Sequence, residues 1–358
     1  MDTVLSSDTP ETATPTPLGA LLAASHPDHE AGVYHGMMTP RQLDAPERET
    51  EALAAGAAVH DLGWLRRVAV RGEDRSRWLN GMVTNSVQSL APGEGNYNFL
   101  LNAQGRIQGD GTIYRDGDEF LLETSTSQVE SIQQHLDRFI IMDDVELSPA
   151  YTEKQGLLLV GAKAPAILAA SELPTLDPLH LSHAKSLLLL TPAAGSVPRY
   201  ELLDDPASLA VLRESLSNAG AVEVSVASLE QLRLIEATPR FSQDIRDRDL
   251  PQETAQAHAL HFNKGCYLGQ EIVERIRSRG QVHRTFTAFR LTGDLPTLPA
   301  PIEANGKPVG ELTSAALVPL PEGPTLLALG YIRREALDTH QPLTYAGGTA
   351  IPRSPGNS

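Results

Sequence analysis

The residues with the clearest chemical potential lie in one short stretch, residues 264–271, with the sequence K-G-C-Y-L-G-Q-E. It contains Cys266, the single cysteine of the 358-residue chain, between the glycines Gly265 and Gly269. The residues that follow have helical spacing, with glutamates in the first turn and arginines near the end. A thiol ahead of a helix N-terminus and close to Lys264 lies in positive potential, which favours a reactive thiolate. The sequence therefore predicts a reactive thiol at Cys266.

Two other interpretations of Cys266 stay open. Free cysteine is among the most buried residue types, so the thiol could be a small apolar packing group. His258, His261 and Cys266 could also form a three-ligand zinc site, although the paired spacings of usual zinc sites are absent. For the two histidines we favour polar positions on a strand that enters the turn.

Residues 264–271, followed by Arg275 and then by Arg279 and Gly280, resemble the signature of the YgfZ-type folate-binding proteins. These proteins are relatives of the aminomethyltransferase of the glycine cleavage system, the T-protein. The likeness extends from about Asp61 into the C-terminal region, so it covers most of the chain. It implies an α+β fold: two antiparallel-sheet lobes and a small C-terminal β-barrel around a central tetrahydrofolate site.

A second block of resemblance is residues 235–241, I-E-A-T-P-R-F. In the family a glutamate in this block lies against the pterin ring and accepts two hydrogen bonds from it, and Glu236 is the matching position. Thr238 stands where a glycine is usual, and a surface helix residue is the alternative interpretation of Glu236. The further folate contacts that the resemblance implies are Asp110, Lys264, Tyr267 and Arg275.

Residues 93–97 and 100–107, G-E-G-N-Y and L-L-N-A-Q-G-R-I, resemble the first lobe of the same family. The T-protein typically has an acidic pair after this point, and here the pair is Gly109 and Asp110. A positioned acid is part of handling an aminomethyl group on folate. The missing carboxylate therefore argues against glycine-cleavage transfer, although it does not argue against folate binding.

The densest basic run of the chain comprises Arg275, Arg277, Arg279 and Arg284. It could bind the glutamyl carboxylates of a folate or the phosphates of an RNA, or it could be a solvated helix face. The spacing of the first three arginines places them on different faces of a helix, which weakens the single-site interpretation.

Composition limits the classes of function. A hydrophobic content of 41% predicts a globular chain, and a net charge of −16 disfavours broad contact with DNA, RNA or an anionic membrane. One cysteine can form no internal disulfide and cannot supply the four ligands of an ordinary iron–sulfur cluster. The N-terminal residues lack the character of a signal or presequence, and the sequence has no apolar run of membrane-spanning length, so we expect a cytoplasmic location.

Helical and strand patterns divide the chain into regions. Pro, Thr and Ser dominate the N-terminal residues, whereas short β segments separated by Pro and Gly follow Gly280. The predicted regions are a flexible tail (1–30), a folate-binding part (31–282) with a first lobe (about 59–146) and a second lobe (31–58 with 147–282), a β-barrel (283–350) and a disordered end (351–358).

The resemblance implies a tetrahydrofolate-binding protein that assists assembly or repair of iron–sulfur clusters and so supports iron–sulfur enzymes, including those that modify tRNA. The expected partners are cluster assembly or client proteins and, locally, tRNA; we expect no membrane and no DNA partner. The alternative is a folate-dependent aminomethyl or other one-carbon transferase. A pure RNA-binding module is disfavoured by the net charge and by an aromatic content of 5%.

Overall fold

The computed structural model describes residues 13–16, 19–21, 30–280 and 282–354. The α-helices are α1 (Pro46–Ala54), α2 (Arg75–Met82), α3 (Thr126–Asp137), α4 (Ala164–Ala170), α5 (Pro206–Asn218), α6 (Val226–Glu236), α7 (Gln270–Arg279) and α8 (Arg334–Asp338). Two short 3-10 helices are Pro251–Glu253 and Ala257–Ala259.

The strands form two large sheets, a small sheet and a barrel. In chain order they are β1 (Thr14–Pro15), β2 (Glu30–Tyr34), β3 (Met37–Gln42), β4 (Ala58–Asp61), β5 (Leu65–Arg71), β6 (Gly95–Leu101), β7 (Ile107–Asp116), β8 (Glu119–Ser125), β9 (Glu146–Pro149), β10 (Gln155–Val160), β11 (His180–Ala184), β12 (Leu187–Thr191), β13 (Arg199–Asp204), β14 (Val222–Glu223), β15 (Arg284–Gly293), β16 (Ala300–Ala304), β17 (Lys307–Leu320), β18 (Gly323–Arg333), β19 (Leu343–Tyr345) and β20 (Gly348–Arg353).

The first lobe is a five-stranded antiparallel sheet in the order β6-β7-β8-β5-β9. Alternate side chains of its strands point to opposite faces, and one face packs against α2 and α3. On that face Val68, Val70 and Leu122 form a core with Leu79 of α2 and Ile132 of α3. Burial of these apolar side chains fixes the register of the sheet, because a one-residue slip would expose them.

The opposite face of this sheet is called the inner face below. At one end Tyr114 and Leu121 of the inner face pack against Leu188 of the second lobe. At the other end Phe99 packs in a cluster with Tyr267, which belongs to the K-G-C-Y turn. The inner face therefore carries the contacts that position the first lobe against the rest of the chain.

The second lobe has a six-stranded sheet in the order β11-β12-β13-β10-β4-β14. Strand β4 precedes the whole first lobe in the chain, yet it pairs with β10, for example Val59 with Leu159. Helices α4 and α5 bury Leu168 and Leu209 against this sheet. The first lobe is thus inserted between two neighbouring strands of the second lobe.

The C-terminal part is a closed barrel in the order β15-β18-β17-β16-β19-β20. The prediction of two α+β lobes and a small C-terminal barrel is confirmed. The barrel ends later than predicted, because β20 runs to Arg353 and pairs with β15. Residues 351–353 are therefore part of a strand instead of a disordered end, and residues 355–358 lie outside the described residues.

The predicted flexible tail, residues 1–30, lies largely outside the described residues. Within it Thr14–Pro15 forms β1, which pairs in parallel with β3 because the edge of β3 offers unpaired backbone groups. Across the described residues, no helix is both long enough and apolar enough to cross a membrane.

Candidate functional site

The K-G-C-Y turn is held by close backbone contacts with the first lobe. Gly269, the N-cap of α7, has φ 81°, a left-handed conformation that glycine adopts without strain. A Cβ atom at this position would lie 2.6 Å from the carbonyl oxygen of Asn102. The backbone N–H of Leu268 donates to the carbonyl of Gly81 at 2.9 Å, near the end of α2. The turn therefore sits directly on the first lobe.

Cys266 is exposed on the surface of this turn, so the packing interpretation of the thiol does not hold. Lys264 points its ammonium group toward the first lobe, where Nζ donates to the carbonyls of Val83 at 2.7 Å and Asn85 at 2.5 Å. Burial lowers the pKa of Lys264 to about 7. The lysine thus fastens the turn to residues 83–85, a contact that the sequence did not predict.

Tyr267 connects the turn to the inner face. Its buried ring packs in one cluster with Phe99 and Ile107, and Nζ of Lys264 lies 5.0 Å from the ring centroid. Burial raises the pKa of Tyr267 to about 12. The side chain is therefore a neutral packing group that anchors the turn.

Asp110 lies half-buried on the inner face, opposite Phe99 of the neighbouring strand. The Tyr97 hydroxyl donates to its Oδ2 at 2.6 Å, and Nε2 of Gln128 donates to its Oδ1 at 2.9 Å. The backbone N–H of Asp110 donates to Oε1 of Gln128 at 3.1 Å, so a single amide group holds the residue at two points. Both carboxylate oxygens are thereby fixed in direction.

Burial raises the pKa of Asp110, while the hydrogen bonds from Tyr97 and Gln128 oppose that rise. Burial and the neighbouring carboxylate raise the pKa of Tyr97 well above its ordinary value. A half-buried carboxylate with a raised pKa is a suitable acceptor for N–H donors of a ligand and a suitable proton donor or acceptor. The Tyr97–Asp110 pair is therefore a candidate for both ligand binding and proton transfer.

Gly109 faces away from this site. A Cβ atom at position 109 would lie 2.8 Å from Cγ1 of Ile132, a buried residue of α3. Neighbouring residues of a strand point to opposite faces, so Gly109 faces the helices and Asp110 faces the inner face. A carboxylate at position 109 would enter the apolar core, and its absence removes no group from the inner face. The sequence argument against transfer chemistry therefore loses its basis.

A second group of charges shares the inner face with Tyr97. The register aligns Arg67, Glu123, Thr112 and Tyr97 as successive cross-strand neighbours, which point to the same face. Arg67 also forms an ion pair with Glu201 of the second lobe, at 3.0 Å. The inner face therefore carries buried charges beside the Tyr97–Asp110 pair.

Glu236 occupies the last position of α6 and is engaged by the protein itself. Its Oε1 accepts hydrogen bonds from the Arg199 guanidinium, from the Ser196 backbone N–H at 2.6 Å and from the Ser196 hydroxyl at 2.8 Å. All three donors engage one of the two carboxylate oxygens. The contact of Glu236 with a pterin ring stays a prediction. In the structure the Glu236 side chain forms a structural ion pair with Arg199.

The basic run does not form one patch. Arg275 is exposed, whereas Arg277 pairs with Glu274 at 3.0 Å. Arg284 lies on the barrel between Asp249 and Glu253, at 2.5 and 3.0 Å. The side chain of Arg279 lies outside the described residues. The acidic partners of Arg277 and Arg284 reduce their ability to bind an anion.

The zinc interpretation gains no support. Within the residues that the structure describes, no group of three or more His, Cys, Asp or Glu side chains is arranged to hold a metal ion. His258 lies in the 3-10 helix Ala257–Ala259 instead of a strand, and its ring packs 5.5 Å from that of Tyr97. Burial lowers the pKa of His258, so it is a neutral ring beside the candidate site.

The site also contains four residues that the sequence did not predict, namely Gln128, Arg67, Glu123 and Glu201. None belongs to a recognisable motif. Strand alternation places Tyr97 and Asp110 on the same face of the sheet, but that inference requires the pairing register, which the sequence does not give. Gln128 lies in the first turn of α3, which follows β8 directly, and this proximity was the one signal available.

Comparisons with known proteins agree with this architecture. Residues 25–183 match the family model described as GCVT N-terminal domain. An aminomethyltransferase of Nostoc sp. is 28% identical over 360 residues, covering 94% of this chain and 92% of the relative. An aminomethyltransferase of Rubrobacter xylanophilus is 26% identical over 296 residues, covering 80% and 79%.

The crystal structure of glycine cleavage system aminomethyltransferase T from Bartonella henselae superposes with a TM-score of 0.86 at 19% identity. The match covers 96% of this chain and 97% of that chain. Residues 25–183 are thus similar to the GCVT N-terminal domain, and the chain as a whole has the T-protein fold.

Proposed function

We propose that this protein binds tetrahydrofolate at the Tyr97–Asp110 pair and acts as a YgfZ-type accessory factor for iron–sulfur enzymes. The observation that carries folate binding is the half-buried Asp110 carboxylate, held by Tyr97 and Gln128 on the inner face. A folate presents several ring N–H donors, and hydrogen bonds from such donors to a partly buried carboxylate are stronger than those between neutral groups. The Tyr97 ring adds an aromatic surface against which a planar heterocycle can pack.

The iron–sulfur role is supported by the K-G-C-Y turn. Cys266 is exposed, and the turn packs on the inner-face cluster through Tyr267. A thiol in that place could contact a partner protein while a ligand occupies the nearby Tyr97–Asp110 pair. Assistance to cluster assembly or client proteins, including tRNA-modifying enzymes, and operation in the cytoplasm belong to this proposal.

Folate-dependent aminomethyl transfer is the second candidate. It is favoured by the position of Gly109, which leaves the inner-face carboxylate of Asp110 in place, and by the named activity of the Nostoc and Rubrobacter relatives. In this mode Asp110 would hold or move a proton at the reacting nitrogen of the folate. The same residue thus serves both candidates, and only the fate of the ligand distinguishes them.

Calorimetric titration with tetrahydrofolate tests folate binding at Asp110, which both candidate functions require. Asp110→Asn removes the charge and should weaken binding tenfold to a hundredfold, because a hydrogen bond to a charged group contributes about 1.5–3 kcal/mol. Asp118→Asn is the matched control, since Asp118 lies exposed in the turn after β7. Equal affinities of all three proteins would remove Asp110 from the site.

An ammonia-release assay separates the two candidates. The purified protein receives tetrahydrofolate and a carrier protein loaded with an aminomethyl group. The first candidate predicts no release above background and predicts that Cys266→Ser abolishes support of iron–sulfur enzymes in a deletion strain. Sustained ammonia release that requires Asp110, together with full activity of the Cys266→Ser strain, would establish the transferase instead.

A further inference from the structure

Three charged side chains meet where the two lobes touch. Nη2 of Arg67 lies 2.5 Å from Oε2 of Glu123 and 3.0 Å from Oε2 of Glu201. The three side chains are only 6–7% exposed. Because both oxygens contact one nitrogen, they lie at most about 5.5 Å apart.

The cluster bridges the two large sheets. Arg67 and Glu123 are cross-strand neighbours in the first sheet, whereas Glu201 lies in β13 of the second sheet. Glu201 is flanked across its own sheet by Leu158 and Leu190. The lobes therefore meet at a charged contact that apolar side chains flank on the side of the second sheet.

The charges of the cluster do not balance if both glutamates are ionised. One guanidinium then faces two carboxylates, which leaves a net charge of −1 in a buried place. Among the described residues the buried Tyr114 of β7 also faces the cluster and is neutral. Arg66 precedes Arg67 in β5 and points to the opposite face of the sheet, so it does not join the cluster. An uncompensated buried charge is costly, and a buried group commonly changes its protonation to avoid it.

We propose that Glu123 and Glu201 hold one proton between them and that this shared proton stabilises the contact between the two lobes. The proton allows one carboxyl group to donate to the other, while Arg67 balances the single remaining negative charge. Burial and the neighbouring Glu123 raise the pKa of Glu201 well above its ordinary value, and Arg67 opposes that rise only in part. The inference does not depend on folate binding.

The direction of the pH dependence follows from proton counting. In the unfolded chain both glutamates are ionised above about pH 5, whereas the folded protein keeps one proton. Unfolding therefore releases that proton, and the stability from this site falls as pH rises above the unfolded pKa, until the folded pKa is passed. One released proton changes the unfolding equilibrium constant tenfold per pH unit.

Urea unfolding between pH 6 and pH 9 tests the proposal. Glu201→Gln replaces the protonated carboxyl by an amide of the same shape and so removes the shared proton. The unfolding equilibrium constant of wild type should therefore rise tenfold more per pH unit than that of the variant. Glu123→Gln should show the same difference from wild type. Glu119→Gln is the matched control, because Glu119 pairs with Arg71 between the same two strands, where Arg71 is 45% exposed. Its pH dependence should equal that of wild type.

Identical pH slopes for wild type, Glu201→Gln and Glu123→Gln would overturn the proposal, because they would show that both glutamates are ionised in the folded protein. Infrared spectroscopy gives an independent answer if a variant does not fold. The folded wild type at pH 7 should show the carbonyl band of a buried protonated carboxyl group in deuterated buffer. Absence of that band would equally overturn the proposal.

Discussion

The K-G-C-Y turn and the inner face of the first sheet are built in opposite ways. The turn exposes Cys266 and is positioned by backbone contacts, with Gly269 against the carbonyl of Asn102. The inner face half-buries Asp110 and holds it by the side chains of Tyr97 and Gln128. The backbone contacts of the turn limit which residue types fit at Gly269, whereas the side-chain contacts of the inner face influence the protonation state of Asp110. Substitutions should therefore change stability in the turn and pH behaviour on the inner face.

The largest effect is expected at Gly269. Gly269→Ala places a Cβ atom on a left-handed backbone and against the Asn102 carbonyl, so it should lower the free energy of unfolding by about 2–3 kcal/mol. Gly265→Ala is the matched control, since a Cβ atom there meets no atom within 4 Å. Urea denaturation measures both variants. Equal midpoints would mean that the turn is not held by backbone contact.

Glu236→Gln should lower the free energy of unfolding by about 1–2 kcal/mol, because the Arg199 guanidinium, 22% exposed, loses its counter-charge. Folate affinity should stay within threefold of wild type in a calorimetric titration. A tenfold loss of affinity without loss of stability would instead support the contact with the pterin ring that the sequence predicts.

Tyr97→Phe should lower the free energy of unfolding by about 1 kcal/mol at pH 8, because the ionised Asp110 loses a donor. The pKa of Asp110 is already raised and should rise further in the variant, so the loss should be smaller at pH 4 than at pH 8. Denaturation at both pH values measures the difference. Tyr151→Phe, which removes a hydrogen bond to Asp116 nearer the surface, serves as control. A loss that is independent of pH would contradict the assignment.

The smallest effect is expected at the thiol. Cys266→Ser should change the free energy of unfolding by less than about 0.5 kcal/mol, because the side chain is exposed. Iodoacetamide should label the native wild-type protein completely and the variant not at all. Protection of the native thiol until the protein unfolds would show that Cys266 is covered.

The fold was predictable from the sequence to a greater extent than the site. Turn residues, apolar strands and the glycine-bounded motif are local signals, and they give the lobes, the barrel and the helix after Gly269. Contacts such as that between Arg67 and Glu201, which are 134 residues apart, depend on pairing register and lobe docking. No local pattern contains that information. For the same reason the sequence alone suggests that Gly109 replaces a carboxylate of the site, although position 109 faces α3.

The insertion of the first lobe between β4 and β10 sets an order of events during synthesis. Residues 65–149, which supply the strands of the first sheet, can pair among themselves as soon as they leave the ribosome. Strand β4 emerges earlier but must wait for β10, whose residues Leu157 to Val160 complete its ladder. At a synthesis rate of about 5–20 residues per second, β4 stays unpaired for roughly 5–20 seconds. Because the first lobe connects β4 to β10, its early folding brings these two strands of the unfinished second sheet together.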